Sequence, residues 1–191
     1  MRLLHDSSNK IARSLNIAVK AASGKYVAQL DSDDEYTPTT LETMVAQLEA
    51  NPEWALAISY YSVIDADSQP LSELGVIQHL EYDQNTLLRT NGAGHVRTWH
   101  RCVLESLGGF DEQQFPDYAE DYDMVLRLSE QYAVGRVHEA LYRWRKHASN
   151  NEQHLCTEYR AGRKALARSL ALRRRTENGL VSTLSERYSS G

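Results

Sequence analysis

The chain alternates between stretches whose apolar residues have helical spacing and short stretches typical of strands. Apolar positions three and four residues apart predict helices over residues 9–23, 38–50, 101–107 and 120–132, and a long amphipathic helix from 152 to about 178. Short β-rich runs predict strands over residues 26–30, 55–64, the end of 92–99, 134–137 and 140–144. Because strands that alternate with helices favour parallel pairing, the predicted fold class is α/β with a mostly parallel sheet flanked by helices.

The C-terminal segment differs in charge from the rest of the chain. Residues 158–175 carry seven Lys and Arg side chains and one Glu, so the remainder holds a net charge of −11 within the total of −5. We predict an α/β domain over residues 1–150 and a basic helix with a frayed tail over 151–191. A body this acidic is a poor general nucleic-acid binder, so we expect no nucleic-acid partner, although the basic helix could contact anionic surfaces. The basic helix has few large apolar residues, which favours a solvated face over a membrane anchor.

Composition and cysteine usage narrow the class further. The 191 residues are 41% apolar and 25% charged, which is ordinary for a globular protein with one sizeable core. No apolar run reaches the roughly 18 residues that a bilayer crossing requires. Cys102 and Cys156 have neither disulfide-scaffold nor zinc-site spacing. We therefore expect a soluble cytoplasmic chain, with a peripheral contact at the inner face of the membrane left open.

The first candidate site follows the predicted strand over residues 26–30. Asp31, Asp33 and Asp34 fall within four residues at the carboxyl end of that strand, where ligands bind in open α/β sheets. Asp31 and Asp33 can face the same way and share a hard cation such as Mg²⁺ or Mn²⁺. A polar loop whose aspartates cap turns is the alternative. Mutual repulsion of the carboxylates favours the metal site.

Two other acidic motifs fit this segment poorly. An EF-hand loop starting at Asp31 would need Gly where Tyr36 stands, and Pro38 interrupts it. A phosphatase-type DxD normally continues into a small hydroxylated or apolar residue, where this chain has Glu35. The cluster is therefore neither of these motifs.

Two more candidate sites lie later in the chain. Glu120, Asp121 and Asp123 stand at the start of a predicted helix, where acidic residues are favoured by the helix dipole in any case. His147 follows the last predicted strand and, taken alone, is typical of a surface histidine. Neither site defines a chemistry by itself.

Taken together and in this order, the sites resemble the family 2 glycosyltransferases of GT-A fold. The matching segments are GKYVAQLDSDD (24–34), LGGFDE (107–112), EDYDMVLRL (120–128) and YRWRKH (142–147). They correspond to that family's DxD strand, glycine turn, ED helix and C-terminal histidine. Four such segments in order are far more specific than a lone DxD.

The resemblance implies a metal-assisted donor site. Asp33 and His147 would bind the divalent ion, Mn²⁺ or Mg²⁺, that bridges the donor diphosphate, with Asp31 also placed at the metal and touching the ribose or sugar. Asp34 is the adjacent donor-binding candidate. A cation at the diphosphate oxygens stabilises the charge of the leaving group. The implied donor is a nucleotide-sugar, foremost a UDP-sugar.

The resemblance also implies a base and an acceptor. Asp121 would remove the proton from an acceptor hydroxyl that attacks opposite the leaving group, which gives inversion in a single displacement. Glu120 would fix the helix start or a neighbouring hydroxyl. The implied acceptor is a sugar or a lipid-linked sugar.

The sequence departs from the family pattern at its start. Family members begin with a strand, a helix and a second strand that hold the nucleotide base, and this sequence starts inside the following helix, with Lys10 and Arg13 near the expected diphosphate. We expect an exposed sheet edge there. Truncation, strands supplied by a partner, and loss of turnover all remain open.

Two other functions are compatible with these residues. Carboxylates that hold a cation also serve nucleotidyltransferases on related α/β scaffolds. A catalytically silent module is the non-enzyme alternative, acting through a partner or a second copy bound at the sheet edge or the C-terminal helix.

Overall fold

The computed structural model describes residues 2–78, 84–89, 91, 97–148, 150 and 154–180. The α-helices in these ranges are α1 Ile11–Ala21, α2 Thr40–Ala50, α3 Gln84–Arg89, α4 Arg101–Ser106, α5 Glu120–Leu128 and α6 Thr157–Glu177. The strands are β1 Tyr26–Gln29, β2 Glu35–Tyr36, β3 Trp54–Ile64, β4 Val76–Ile77, β5 Arg97–His100 and β6 Ala133–Arg145. Each predicted helix is present, although the one expected over residues 120–132 ends at Leu128.

The strands form one sheet in the order β1-β5-β3-β6-β2. The short strand β4 lies outside this order and pairs with the end of β3. The α/β class is confirmed. Among the described strands only β3 and β6 pair in parallel. The other pairings are antiparallel, so the described sheet is mixed, where the sequence had suggested a mostly parallel one. Since β5 opposes both β1 and β3, the strands β1, β3 and β6 still run in one direction.

The two late strands predicted from the sequence are one strand with an irregularity. In β6, Val137 pairs with Ser59 of β3, and the next paired residue is Ala140, opposite Tyr60. His138 and Glu139 are therefore extra residues on β6, as in a β-bulge. This interruption of the alternating pattern is what made one strand resemble two. Residues 92–96, the predicted Gly-Ala-Gly turn before β5, lie outside the described residues.

Helices cover both faces of the sheet. On one face α1, α4 and α5 pack over Trp99 of β5, and on the other face α2 packs through Met44 and Leu48 against β6. The glycine turn after α4 has positive φ at Gly108 (79°) and Gly109 (75°), which glycine adopts without strain. This turn, predicted to close the helix, brings the chain back towards α1.

The basic helix α6 packs against α5 and belongs to this body. Ala167 and Ala171 are fully buried, and Arg175 is only 1% exposed. The part of segment 151–191 that the structure describes is thus a wall of the domain, because small side chains let the two helices approach. Residues 181–191, predicted as a frayed tail, lie outside the described residues. In the described ranges, no helix combines the length and the apolar character that a membrane span would need.

One packing contact gives a direct test of the fold. A Cβ atom added at Gly135 of β6 would fall inside the Trp54 ring of β3, whereas Gly162 of α6 faces open space. Overpacking costs about 1–3 kcal/mol, so we expect Gly135→Ala to destabilise the protein by about that much. Gly162→Ala, the matched control, should stabilise it by about 0.5–1 kcal/mol through helix propensity. Urea unfolding of both variants measures this, and equal effects would contradict the packing.

Candidate active site

A cavity of about 860 Å³ lies beyond the carboxyl end of β1. Its walls come from the three candidate sites of the sequence and from two helices. The described residues from those sites that line it are Asp31, Asp33, Asp34, Glu120, Asp121 and His147. The structure thus brings together acidic groups and a histidine that are separated by up to 116 positions in the chain.

Asp34 anchors the acidic turn to β6. Its Oδ2 accepts a hydrogen bond from the Tyr142 hydroxyl at 2.7 Å, and its Oδ1 accepts one from the backbone N–H of Arg145 at 2.7 Å. Burial, reinforced by the charges of Asp33 and Asp31, raises the pKa of Asp34 to about 6. These two hydrogen bonds fix the acidic turn against β6. Its predicted role as a donor ligand stays a prediction.

Arg145 holds the same turn from a second direction. Its Nε donates to the Asp33 carbonyl at 2.7 Å, and one of its terminal nitrogens lies 2.6 Å from Glu35 Oε1. Ser68 donates to the same Glu35 oxygen at 2.6 Å. These contacts fix the backbone on which the Asp33 carboxylate is carried.

Asp33 and His147 meet at the cavity wall. His147 Nε2 lies 2.9 Å from Asp33 Oδ2, and both side chains remain partly exposed. The His147 backbone is held by Asn150, whose Oδ1 accepts its N–H at 2.7 Å. Two neighbouring ligands of an octahedral ion bound at about 2.1 Å lie about 3.0 Å apart. The pair therefore fits a divalent cation in its chemistry, and at 2.9 Å the two side chains are hydrogen-bonded to each other.

Asp31, the third predicted metal ligand, is not drawn into that pair. In the described part of the chain, no three His, Cys, Asp or Glu side chains cluster as metal ligands. Asp31 Oδ1 lies 3.4 Å from Gln29 Nε2, and the Asp31 charge contributes to raising the pKa of Arg97. The structure brings Asp33 and His147 together, and the predicted role of Asp31 as a third metal ligand stays a prediction.

Asp121 forms a buried ion pair with Arg97. One of its oxygens accepts from the Arg97 guanidinium, and the other accepts from the N–H of Tyr122 at 2.6 Å. Arg97 is 4% exposed and Asp121 20% exposed. Glu120 is buried, and this burial, together with the neighbouring Asp121 charge, raises the pKa of Glu120 well above its ordinary value of 4.5. Burial therefore favours the protonated form of Glu120.

The raised pKa of Glu120 predicts a pH dependence of stability. Its contribution is fully present below the unfolded pKa near 4.5 and is lost as the pH rises through the higher folded value. When the pH is raised from 5 to 9, we expect the free energy of unfolding of the wild type to fall. In Glu120→Gln this fall should be smaller by at least about 1 kcal/mol. Urea titrations at both pH values measure this. Glu42→Gln, at an exposed position in α2, should follow the wild type, and parallel curves for all three would refute the assignment.

Lys10 and Arg13, predicted near the diphosphate, are engaged elsewhere. Lys10 Nζ lies 3.0 Å from Asp117 Oδ2, and Arg13 Nε lies 3.6 Å from Asp6 Oδ1. Neither is among the described residues that line the cavity. The structure does not bring them to the acidic turn, and their contact with a donor stays a prediction.

Sequence reasoning missed the groups that orient the site. Arg97, Tyr142 and Arg145 hold Asp121, Asp34 and the Asp33 backbone. The available signal was a charged or hydroxylated residue inside a predicted strand or at its end. That signal shows that a partner must exist without showing which one it is.

The fold and the acidic cavity together are typical of an α/β enzyme domain that binds its ligand at the strand ends. The fold is α/β, and acidic side chains lie at the ends of its strands. Ligands bind at this position in open α/β sheets. A sequence model of glycosyl transferase family 2 matches residues 1–106. The chain belongs to this family.

Curated relatives support the same assignment. The chain is 30% identical over 133 residues to the putative colanic acid biosynthesis glycosyl transferase WcaA of Escherichia coli, covering 68% of this chain and 46% of that protein. It is 25% identical over 164 residues to the chondroitin synthase of Pasteurella multocida, covering 78% and 15%. It is also 29% identical over 181 residues to the uncharacterized protein y4gI of Sinorhizobium fredii, covering 88% and 19%. The chain thus spans less than half the length of each.

Solved structures confirm the fold. TarS of S. aureus superposes with a TM-score of 0.58 at 16% identity, over 96% of this chain and 58% of that one. TarS in complex with UDP-GlcNAc superposes with a TM-score of 0.54, over 90% and 56%. The predicted GT-A architecture is therefore confirmed.

Proposed function

We propose that this chain carries the metal site and the catalytic base of an inverting glycosyltransferase. It would move a sugar from a nucleotide-diphosphate sugar, foremost a UDP-sugar, to a hydroxyl of a sugar or lipid-linked acceptor. The observation that carries the proposal is that the Asp33–His147 pair and the Asp121–Arg97 pair line one cavity. The complex of TarS with UDP-GlcNAc supports the donor class.

Asp33 and His147 would hold the divalent ion. Few protein ligands are needed, because substrate phosphate and water complete the coordination of such ions. The imidazole nitrogen favours Mn²⁺ over Mg²⁺, since Mg²⁺ prefers oxygen ligands. When bound, the ion would stabilise the charge that develops on the departing diphosphate.

Asp121 would act as the base. Arg97 and the Tyr122 N–H fix the orientation of its carboxylate, so that it can accept the proton of an acceptor hydroxyl in reach. Glu120 is buried and its raised pKa favours the protonated form, which cannot accept a proton. A single base on the side opposite the leaving group gives direct displacement with inversion at the anomeric carbon.

Product analysis tests the proposal. The chain is incubated with UDP-GlcNAc, Mn²⁺ and a panel of sugar acceptors, and the released phosphorus compounds are measured by ³¹P NMR. Release of UDP with an inverted anomeric configuration in the product supports sugar transfer. Nucleotidyl transfer from the same donor would instead move UMP to the acceptor and release GlcNAc-1-phosphate, and retention of configuration would exclude the single displacement.

A further inference from the structure

Several basic side chains of α6 contact the rest of the domain. Arg168 Nε donates to the Tyr122 hydroxyl at 3.1 Å, and Arg174 lies 2.9 Å from Glu130. The buried Arg175 donates to Ser129 Oγ at 3.0 Å. These cations hold α6 against α5. These three cations therefore do not form part of the solvated face that the sequence predicts for the helix, whereas Arg173 remains exposed.

Lys164 is the member of this series that reaches the cavity. It stands one helical turn before Arg168, on the same face of α6, and lines the cavity beside Tyr118. Its Nζ lies 5.6 Å from the centroid of the Tyr118 ring. Among the described residues it forms no ion pair with a carboxylate. A partly buried ammonium group that faces only a ring can bind an anion more strongly than it binds that ring.

The other basic side chains of the described lining each lie against a carboxylate. Within the described lining of the cavity, Arg97 is matched by Asp121 and His147 by Asp33. Asp117, next to Tyr118, is matched by Lys10. The described lining also holds Asp31, Asp34 and Glu120, so the cavity as a whole is acidic, and Lys164 is the cation of that lining without a carboxylate partner.

The location of Tyr118 indicates which substrate this charge meets. Tyr118 precedes Asp121 by three residues, in the segment that leads into α5. If Asp121 takes its proton from the acceptor, side chains beside it face the acceptor. The diphosphate, by contrast, belongs at the Asp33–His147 pair.

We propose that Lys164 and Tyr118 form a subsite for a negatively charged acceptor, one with a carboxylate or phosphate group next to the reacting sugar. Lys164 would pair with the anion, and the Tyr118 ring would pack against the apolar face of the sugar. This inference rests on the proposed function, and it adds the charge of the acceptor.

Binding measurements test the subsite without requiring turnover. The probes are a glucuronate-terminated disaccharide, a glucosyl glycerol phosphate and a neutral glucose-terminated disaccharide, each titrated by NMR with Mg²⁺ and UDP present. We expect at least one anionic probe to bind about tenfold or more tightly than the neutral one, and the preference to fall at high salt. The tighter anionic probe identifies the anion as carboxylate or phosphate.

Variants assign the preference to Lys164. Lys164→Gln should remove the anionic preference and leave the affinities for UDP and for the neutral probe within about twofold, whereas Lys164→Arg should retain it. Arg173→Gln is the matched control, because it removes an exposed charge from the same helix. Wild-type protein without any anionic preference would overturn the inference, and so would a Lys164→Gln variant that weakens UDP binding instead. If the wild type fails to bind UDP at all, the proposed function itself fails, which is a separate result.

Discussion

Asp121→Asn is expected to lower the rate of sugar transfer by about 10²- to 10⁴-fold, the usual contribution of a positioned base. Asparagine keeps the size of the side chain but cannot accept the acceptor proton. Affinity for UDP-GlcNAc with Mn²⁺ should stay within about twofold of wild type, because the Asp33–His147 pair is untouched. Steady-state rates and donor titration measure the two effects separately.

The control for this prediction, Asp123, lies two residues further along the same helix. Asp123 is buried and paired with Arg127 at 2.8 Å, but it is not among the described residues of the cavity wall. Asp123→Asn therefore also breaks a buried ion pair of α5, at a similar cost in stability. Equal losses of transfer in the folded fraction of both variants would mean that Asp121 has a structural role only.

Asp33→Ala should abolish Mn²⁺-linked donor binding. The substitution removes the carboxylate that lies 2.9 Å from His147 Nε2, and a single imidazole is a weak site for such an ion. We expect the affinity for UDP-GlcNAc to become at least about tenfold weaker and independent of Mn²⁺. Titration of the donor with and without Mn²⁺ measures this.

His147→Ala and Asp67→Ala complete that experiment. His147→Ala should give a smaller loss of the same kind, since Asp33 remains. Asp67 is an exposed aspartate of the turn after β3, and its replacement should leave Mn²⁺-linked binding unchanged. If Asp33→Ala bound the donor like Asp67→Ala, the metal site would have to be sought elsewhere.

Local sequence patterns located the elements but not the directions of all strands. The spacing of apolar residues gave helices close to α1, α2 and α5, because burial of one helix face imposes that spacing. The direction of β5 depends on its pairing with β1 and β3. That pairing joins residues about 40 to 70 positions apart, so no local pattern contains it.

The candidate site could also be predicted only in part. The motifs that carry Asp33, Asp121 and His147 could be recognised because each has a characteristic local neighbourhood. Their supports could not, since Arg97 and Tyr142 act on residues 24 and 108 positions away. Contacts between residues far apart in the chain produce no periodic pattern in the sequence.

The C-terminal helix shows how charge alone can mislead. Its basic residues indicated a solvated face separate from the domain, whereas Ala167 and Ala171 make it a packed wall. Small apolar residues produce little hydrophobic periodicity, yet they allow the close approach that buries Arg175 beside Ser129. Their position determines which of the cations reach the cavity.

The most direct test is the anomalous diffraction of Mn²⁺ in crystals of the chain grown with UDP-GlcNAc. We predict a manganese peak between the Asp33 carboxylate and His147 Nε2, with the sugar of the donor in the cavity beside Asp121. A peak at another set of ligands, or a donor bound away from Asp121, would contradict the proposed catalytic arrangement.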